Sequence, residues 1–375
     1  MRIDKLEARA LTIPFKSIFR HAAAERATTQ ALWVSASGDG FVGYGEGCPR
    51  EYVTGESLRT AAGFVSLFAD EWRSAIRDLQ TLRSWAAAHE DAIGRNPAAW
   101  CAVELALLDL IGKSEAKSVE SLLGLASLKG RFAYSAVIGD APPAQFSAQL
   151  AKYLQAGFRD FKIKLNADEA RNHEKVRALV DARLTGAQVR ADANNVWPSA
   201  DSAIHALEAL DFRFWALEEP LEPRDYAGMQ RVASALGTRI VVDESAVGVQ
   251  DLDHLENPRQ WLVNLRVSKM GGILRSFDVV SVARERGIDL IVGAQVGETS
   301  LLTRAALAVA SAAKDRVIAQ EGAFGTHLLQ HDVIDPPLMF GAAGVLELAP
   351  AAFDRPGWGC ACALGSTDSQ PLPQA

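Results

Sequence analysis

The sequence has few cysteines and no long apolar run. Its 375 residues contain four cysteines, at 48, 101, 360 and 362, in a spacing that fits neither a zinc motif nor a Cys-x-x-Cys redox pair. We therefore expect reduced, unpaired thiols. No apolar stretch reaches the roughly 18 residues of a membrane span, and the N-terminus lacks the apolar region of a signal peptide. These absences predict a soluble, cytoplasmic protein.

The sequence also lacks a basic block. Its net charge is −7, from 39 basic and 46 acidic residues spread along the chain. That distribution argues against nucleic acid or an anionic membrane as a partner. With 49% hydrophobic and 23% charged residues, the composition is that of an ordinary globular protein. The length is sufficient for a barrel and an accessory domain.

The sequence pattern of residues 1–130 predicts a domain in which strands are followed by helices. Residues 1–50 resemble antiparallel strands with a hairpin at 38–40, and 57–127 read as helical. The segment 15–29 has no clear period, so we expect a loop there that could serve as a lid. Residues 51–57 predict a second loop, in which Thr54 or Ser57 could cap the next helix.

The clearest helix of this domain is predicted from Asn96 to about Lys113. Asn96 suits the cap position and Pro97 the first turn. The helix is apolar around most of its surface, which predicts deep burial. Its two acids, Glu104 and Asp109, are expected to be structural carboxylates with hydrogen-bond partners.

From residue 131 the chain alternates between strand and helix patterns. Helices are predicted at, for example, 143–156, 167–182 and 200–210. The strand candidates are 132–138, 160–166, 189–194, 212–218, 239–243, 261–269, 289–295 and 317–321. Eight strands with parallel crossovers favour a closed α/β barrel over 131–345 rather than an open sheet. The segment 346–375 is expected to return to the first domain, beginning with a strand at Val-Leu-Glu-Leu, and its tail from Gly365 is predicted to be disordered.

Charged residues recur at the ends of consecutive predicted strands. Lys164, Asp192, Glu218, Asp243 and Lys269 are separated by 28, 26, 25 and 26 residues. One βαβ step takes roughly 30 residues. Each charge therefore falls at the carboxyl end of its strand, and in a parallel barrel these ends converge on one mouth.

Three of these residues are acids on consecutive strands. Asp192, Glu218 and Asp243 offer hard oxygen ligands without a Cys or His beside them, which suits Mg²⁺, or alternatively Mn²⁺, rather than Zn²⁺. Three carboxylates at one mouth would also repel one another without a cation. We therefore predict that they bind one metal ion.

The lysines are candidates for acid–base chemistry. Lys162 and Lys164 are two residues apart on one strand, so their side chains share a face, and two close ammonium groups should lower each other's pKa. Lys269 lies across the barrel, so a substrate between Lys164 and Lys269 would meet a base on either face. Ion pairing for stability and Schiff-base formation are the alternative roles, although a Schiff base needs no metal.

Together these residues predict proton abstraction next to a carboxylate. Mg²⁺ would bind the carboxylate, a lysine would remove the adjacent proton, and the enediolate would be stabilised by the metal and nearby cations. Reprotonation by the opposite lysine would invert the centre. Loss of a β-leaving group would give elimination or, in reverse, ring formation.

The motifs at the strand ends resemble those of the enolase superfamily, in its muconate lactonizing enzyme subgroup. They are Lys-x-Lys (162–164), Asp-x-Asn (192–194), Glu-Glu-Pro (218–220), Asp-Glu-Ser (243–245) and Lys-Met-Gly-Gly (269–272). The resemblance implies a modified TIM-type (β/α)₇β barrel with an N-terminal α+β capping domain, whose loops at about 15–29 and 50–57 cover the site. It also implies a homo-oligomer, either a dimer or an octamer.

The resemblance assigns roles to single residues. Lys164 and Lys269 match the acid/base pair, Lys162 the supporting cation, and Asp192, Glu218 and Asp243 the Mg²⁺ ligands, around a small-molecule carboxylate as substrate. Further candidates for substrate contact or support are Tyr52, Thr54, Asn194, Glu244, Arg266, Gln295, Glu298 and Glu321. Glu298 could instead cap the helix that follows it.

Parts of this second set point to different substrates. The segment 52–57 resembles the capping loop of dipeptide epimerases. The eighth strand lacks the Asp-x-Asp usual in those enzymes. It instead resembles the eighth strand of cycloisomerases, in which Glu321 matches the position of the glutamate. We therefore expect a racemase or epimerase of an amino-acid derivative or dipeptide, or a cycloisomerase. A lyase that dehydrates a hydroxy acid and a barrel that binds a carboxylate without turnover are the alternatives.

Overall fold

The computed structural model describes residues 1–21, 24–365 and 368–373, and the side chains of residues 20, 21, 24 and 25 lie outside the description. Within these ranges a strand-and-helix N-terminal region precedes a parallel eight-stranded sheet with surrounding helices. No helix in the described part of the chain has the length and apolar character to cross a membrane.

The N-terminal region begins with five strands. They are β1 (Lys5–Leu11), β2 (Pro14–His21), β3 (Ala24–Thr28), β4 (Ala31–Gly38) and β5 (Phe41–Gly47). β1, β4 and β5 form one antiparallel sheet, whereas β2 and β3 form a separate hairpin. The prediction of a loop at 15–29 was therefore wrong for the described residues, because most of it forms this hairpin. Residues 22 and 23 of that segment lie outside the described residues.

Helices follow, in the region where they were predicted. They are α1 (Glu51–Thr54), α2 (Leu58–Ala75), α3 (Leu79–Ala88), α4 (Glu90–Arg95), α5 (Pro97–Ser114) and α6 (Val119–Leu123). The loop predicted at 51–57 instead contains the one turn of α1. Ser57 caps α2 by accepting a hydrogen bond from the Thr60 N–H, as predicted for one of the two candidates.

The long helix α5 lies where the sequence placed it, but its cap differs. The Asn96 side chain makes no capping hydrogen bond. The buried Glu56 carboxylate accepts from the N–H groups of Ala98 and Ala99 instead, at 2.9 Å each. A carboxylate at a helix N-terminus satisfies free N–H groups and interacts favourably with the helix dipole. The cap was missed because its acceptor is 40 residues away from Asn96 in sequence.

Glycines in β5 allow α5 to pack closely against the sheet. A Cβ at Gly43, Gly45 or Gly47 would lie within 2.2 Å of a backbone oxygen of α5. The three glycines alternate along the strand, so all face α5. Glu46 lies on the opposite face of β5, where its carboxylate accepts hydrogen bonds from Thr299.

The barrel strands follow each other in both sequence and space. After β6 (Gly130–Ala133), the strands are β7 (Ala136–Ile138), β8 (Asp160–Lys164), β9 (Gln188–Asp192), β10 (Ala216–Glu218), β11 (Arg239–Val242), β12 (Trp261–Leu265), β13 (Asp289–Val292) and β14 (Val317–Gln320). β7 to β14 form one parallel sheet of eight strands in sequential order. The Ser135 N–H and hydroxyl both bond to the Gln320 carbonyl, at 2.8 and 3.0 Å, and connect its two edges.

Helices separate most of these strands. They are α7 (Pro143–Gln155), α8 (Glu169–Asp181), α9 (Ala200–Ala209), α10 (Tyr226–Leu236), α11 (Val267–Met270), α12 (Ile273–Arg286) and α13 (Ser300–Ala312), with short 3₁₀ turns at Val249–His254, Pro258–Gln260, Gly325–His327 and Ala342–Gly344. A separate cluster of buried side chains from β10 to β14 forms a second core: Ala216, Val241, Leu262, Ile291 and Ala319. The predicted barrel with an N-terminal α+β domain is confirmed.

All eight predicted barrel strands are longer than the observed strands, and 132–138, 212–218 and 261–269 are each longer by four residues. The segment 132–138 is divided between β6, which pairs outside the barrel, and β7. The segment 261–269 ends as a strand at Leu265, and Lys269 lies in the one-turn helix α11. The alternation of apolar and polar residues continues past Leu265 to Ser268, so the pattern does not show where this strand stops.

The C-terminal segment contributes two further strands. β15 (Val345–Leu348) pairs with β6, and β16 (Ser369–Pro371) extends the N-terminal sheet beside β1. The return to the first domain is thus made by β16, and the prediction that Val-Leu-Glu-Leu makes it was wrong. The prediction of disorder from Gly365 was wrong for 369–371, whereas 366–367 and 374–375 lie outside the described residues.

Buried carboxylates join the N-terminal region to the barrel. Glu46 accepts from the Thr299 N–H and hydroxyl before α13, and Glu104 accepts from the Ile273 N–H at the start of α12. Glu120 forms a two-bond ion pair with Arg304 of α13, at 2.7 and 2.8 Å. The structural role predicted for Glu104 is therefore confirmed, and these contacts fix the N-terminal region against the barrel.

Glu104 makes stability depend on pH. Burial raises its pKa from 4.5 to about 7, so between these values the folded chain keeps a proton that the unfolded chain releases. The free energy of unfolding should therefore fall as the pH rises through this window. We expect Glu104→Gln to reduce that fall by on the order of 2 kcal/mol, measured by urea unfolding at about pH 5 and pH 8. Glu285→Gln, at an exposed site on α12, is the control, and an equal fall in both variants would contradict the assignment.

Candidate active site

The three predicted acids stand at the ends of adjacent strands. Asp192 and Glu218 are the last residues of β9 and β10, and Asp243 directly follows β11. Each is 1% exposed. We call these three residues the acid trio. The register pairs Glu218 with Asp192 directly, which places their side chains at one level of the barrel mouth.

Cations separate the members of the acid trio. The Lys162 ammonium lies 3.0 Å from Asp192 Oδ2 and 2.7 Å from Glu218 Oε2. The Arg266 guanidinium forms an ion pair with Asp243 and lies 3.7 Å from Glu218 Oε1. Among the described residues no group of three His, Cys, Asp or Glu side chains is arranged to hold a metal ion. Two cations lie between the acids here, and metal binding by all three acids stays a prediction.

The donor set nevertheless fits a hard divalent cation. Carboxylate oxygens are the ligands that Mg²⁺ prefers. Glu218 Oε2 is buried and accepts no hydrogen bond despite the nearby ammonium. Burial, and next the charge of Asp192, raise the pKa of Glu218 to about 8. The acid trio would therefore supply the ligands of such an ion.

The outer acids carry charge more easily than Glu218. Burial alone would raise the pKa of Asp192, but the ammonium groups of Lys162 and Lys164 hold it well below its usual value. Arg266 and Lys269 likewise outweigh burial at Asp243 and lower its pKa.

Two lysines flank the acid trio on opposite sides. Lys164 Nζ contacts Asp192 on one side and donates to Asn194 Oδ1 at 3.0 Å. Lys269 Nζ contacts Asp243 Oδ1 on the other side, at 2.9 Å, and also donates to the Asn264 carbonyl. Lys164 lines the cavity described below, whereas Lys269 is fully buried. The predicted acid/base pair thus lies across the trio.

Lys162 behaves differently from its prediction. Its side chain lies within the barrel and also contacts Glu321 Oε2 at 3.1 Å. Burial would lower its pKa, but the carboxylates of Asp192, Glu218 and Glu321 raise it above the usual value. The prediction that Lys162 and Lys164 lower each other's pKa was therefore wrong for Lys162, because nearby acids outnumber the one like charge.

A cavity of about 980 Å³ opens above these residues. The N-terminal region contributes Phe19 and Tyr52 to its wall, and the barrel contributes Lys164 and Arg266. The other predicted residues in its wall are Lys162, Asn194, Glu244, Gln295 and Glu321. Strand β2 and helix α1 thus contribute to the cavity wall together with the barrel, and their role as a lid stays a prediction.

Two of the predicted substrate-contact residues do not line this cavity. The Thr54 hydroxyl donates to the Arg50 carbonyl, at 3.4 Å, within α1. The half-buried Glu298 carboxylate accepts from the Gln295 N–H at 2.6 Å, while Thr299 caps α13. The helix-cap alternative for Glu298 is therefore wrong, and its contact with substrate stays a prediction.

Glu321 and Glu244 have contrasting environments. Glu321 accepts from Arg190 and Lys162, which outweigh burial and lower its pKa to about 2. Glu244 Oε2 is buried without a hydrogen bond, and burial, with Asp243 next in effect, raises its pKa to about 8. Glu321 is thus a fixed anion, whereas Glu244 remains available for a further partner.

Three supporting residues were not predicted. Arg190, two residues before Asp192 on β9, bonds to Asp160 and Glu321. Glu219 Oε1 accepts from the Asp243 N–H at 2.6 Å and so fixes the third acid. Lys175 of α8 donates to the Lys164 carbonyl at 2.8 Å. The alternation along β9 could have indicated Arg190, since residues two apart on a strand share a face.

Comparison with known proteins decides the family. Residues 145–363 match the family model described as "Enolase C-terminal domain-like". That stretch is more than half of the chain and contains every barrel residue of the site. The chain belongs to the enolase superfamily. The resemblance inferred from the strand-end motifs is thereby confirmed.

Relatives of this superfamily member are similar along most of their length. The hydrophobic dipeptide epimerase of Enterococcus faecalis V583 is 28% identical over 359 residues, covering 94% of this chain and 98% of the relative. The N-succinyl-L-Arg/Lys racemase of Bacillus cereus is 24% identical, covering 84% and 85%. A crystal structure of the Enterococcus faecalis V583 dipeptide epimerase, complexed with Mg and L-Leu-L-Tyr, has a TM-score of 0.82 at 26% identity, covering 96% of this chain and 100% of that chain. These relatives are isomerases, and the chain is an enzyme of that class.

Proposed function

We propose that the chain is a Mg²⁺-dependent epimerase or racemase that removes the proton adjacent to a substrate carboxylate. The observation that carries the proposal is the position of Lys164 and Lys269 on opposite sides of the acid trio. Two bases on opposite faces are what inversion of a carbon centre requires, because the proton leaves on one side and returns on the other.

The residues have separate tasks in this reaction. The substrate carboxylate lies at the acid trio, below the lid that contains Tyr52. When bound, Mg²⁺ supplies positive charge that offsets the negative charge developing on the carboxylate. One lysine, as the neutral amine, takes the α proton, and the electron pair moves into the carboxylate to form an enediolate. The opposite lysine, as the ammonium, delivers a proton to the other face.

Lys162 and Asn194 support these steps. Lys162 holds its charge firmly, so it stabilises negative charge rather than exchanging protons. Asn194 accepts from Lys164 and donates its own N–H to Asp192 Oδ1, at 3.0 Å each. It therefore fixes the distance between the base and the first acid.

The substrate class is proposed from the relatives. Dipeptides and an N-succinyl amino acid are the substrates that their names give. These share a carboxylate beside a carbon that carries an amide nitrogen, and the cavity lies within the roughly 300–1,000 Å³ typical of small-molecule sites. We therefore propose dipeptides or N-acyl amino acids, bound between an N-terminal capping domain (1–130) and the barrel (131–345).

Proton exchange in D₂O tests the proposed function. The protein is incubated with Mg²⁺ and a panel of dipeptides and N-acyl amino acids, and ¹H NMR follows the α proton. We expect loss of that signal together with appearance of the second stereoisomer. A vinyl product would instead support the lyase alternative, and binding without exchange would support the non-catalytic barrel.

Asp243→Asn should weaken Mg²⁺ binding by about tenfold, measured by calorimetry. The substitution removes one anionic ligand but keeps an amide oxygen, and one weakened charge contact is worth about 1.4 kcal/mol. Asp289→Asn is a matched control, since Asp289 forms its ion pair with Arg239 at the start of β13. Unchanged affinity in Asp243→Asn would remove this residue from the metal site.

A further inference from the structure

Arg266 occupies the space between two members of the acid trio. It follows β12 directly and precedes α11. Its Nη2 contacts Asp243 Oδ2 and is near Glu218, while its Nη1 donates to Gln295 Oε1 at 2.9 Å. The residue is 9% exposed and lines the cavity. A substrate entering the cavity would therefore meet this guanidinium.

The charge of the acid trio is already compensated by its neighbours. When fully ionised the trio carries three negative charges, and four cations contact it: Lys162, Lys164, Arg266 and Lys269. A divalent ion would add two positive charges beside these four. Like charges at such short distances repel strongly where water is excluded. The present arrangement therefore opposes metal binding until a cation leaves or an anion arrives.

Arg266 is the cation best able to leave. Lys162 is 2% exposed and is held by a third acid, Glu321. Lys269 has two backbone carbonyls as additional partners. Arg266 has one neutral partner besides the acids, Gln295, and its Nε makes no hydrogen bond. Arg266 and Lys162 both line the cavity wall, but the Arg266 side chain is more exposed, at 11% against 2%.

We propose that Arg266 is a counter-cation of the acid trio that couples metal binding to substrate binding. Without a carboxylate ligand it stays on Asp243 and Glu218 and keeps Mg²⁺ affinity low. A substrate carboxylate forms an ion pair with the guanidinium and so draws it away from the acid trio. The acids are then free to bind the ion, and the negative charge of the carboxylate restores charge balance around it. Arginine suits this exchange, because its planar guanidinium bonds carboxylates in a bidentate manner. The coupling is reciprocal, so Mg²⁺ tightens carboxylate binding by the same factor.

This inference rests on the proposed metal-dependent function and is tested by binding rather than turnover. Mg²⁺ is titrated by calorimetry into protein stripped of metal, with and without a dipeptide that ends in α-aminoisobutyrate. That residue has no α proton, so no reaction occurs. We expect the dipeptide to tighten Mg²⁺ binding to the parent protein at least about tenfold, which is a coupling of about 1.4 kcal/mol.

Three variants separate charge from structure. Arg266→Gln should bind Mg²⁺ alone at least about tenfold more tightly than the parent and lose most of the coupling. Arg266→Lys keeps the charge and should resemble the parent. Arg239→Gln removes an arginine that pairs with Asp289 at the opposite end of the barrel and should not change either affinity.

Two results would overturn the role of Arg266. One is Mg²⁺ affinity in Arg266→Gln that equals or falls below that of the parent. The other is an affinity of the parent that the dipeptide leaves unchanged, a result that needs no variant and stands even if Arg266→Gln does not fold. Absence of Mg²⁺ binding to the parent under both conditions would overturn the proposed function itself.

Discussion

Replacing Lys164 by alanine is expected to lower epimerisation by about 10³-fold or more, the range for loss of a general acid or base. Lys164 contacts Asp192 on one side of the acid trio, and Lys269 stays on the other side. The substrate epimer whose α proton faces Lys269 should therefore still exchange that proton with D₂O. The other epimer should not exchange. ¹H NMR on the two separated epimers measures both effects.

Lys269→Ala should give the mirror result. It should suppress exchange of the epimer that Lys164→Ala leaves active, and conversion between epimers should again be lost. Lys117→Ala, at an exposed lysine paired with Glu115, is the control for general effects of losing an ammonium group. If either variant of the pair loses exchange of both epimers equally, the lysines do not act from opposite faces.

The second large effect is expected for Glu218→Gln, which should weaken Mg²⁺ binding by about 100-fold or more. Glu218 is the central acid, and its Oε2 is buried and accepts no hydrogen bond. The glutamine keeps the shape of the side chain but removes the charge that an ion would neutralise. A loss of about 2.7 kcal/mol corresponds to this factor, and calorimetry with Mg²⁺ measures it.

The matched control for Glu218→Gln is Glu104→Gln. Both residues are fully buried glutamates with raised pKa values, but Glu104 caps α12 beneath the N-terminal region. We expect the control to bind Mg²⁺ as the parent does. Equal affinities for all three proteins would show that Glu218 is not a ligand.

The sequence predicted the barrel well because its information is local and repeated. Each strand–helix step carries its own apolar period, so the order and approximate place of the strands followed from the pattern. Strand ends were harder to place. The alternation of apolar and polar residues continues past Leu265 to Ser268, yet the chain turns into α11 there, because contacts with distant α5 and the barrel decide where the strand stops.

The lid was the weakest part of the prediction. The segment around Phe15 has no alternating period, and it forms a strand because it pairs with a hairpin partner and bridges to Leu329 in the C-terminal segment. The strand Ser369–Pro371 likewise depends on β1, more than 350 residues away. Polar, short strands of this kind carry little signal of their own.

The site residues that were predicted are those that recur at the ends of predicted strands. The residues that were missed do not recur in this way. Glu219 follows Glu218 directly, but its importance lies in the hydrogen bond to the Asp243 N–H. Arg190 acts through Glu321, which is 131 residues away. Partnerships across such distances leave no pattern in a single sequence. For the same reason, the contacts of Arg266 with Asp243 and Glu218 were not predicted.

The central claim is that Asp192, Glu218 and Asp243 bind one divalent ion between two opposed lysines. The most direct measurement is anomalous diffraction from crystals soaked with Mn²⁺ and a dipeptide that ends in α-aminoisobutyrate. We predict one strong peak within about 2.3 Å of an oxygen of each acid, with Lys164 and Lys269 on opposite sides of the bound carboxylate. A peak elsewhere, or none beside these acids, would contradict the account.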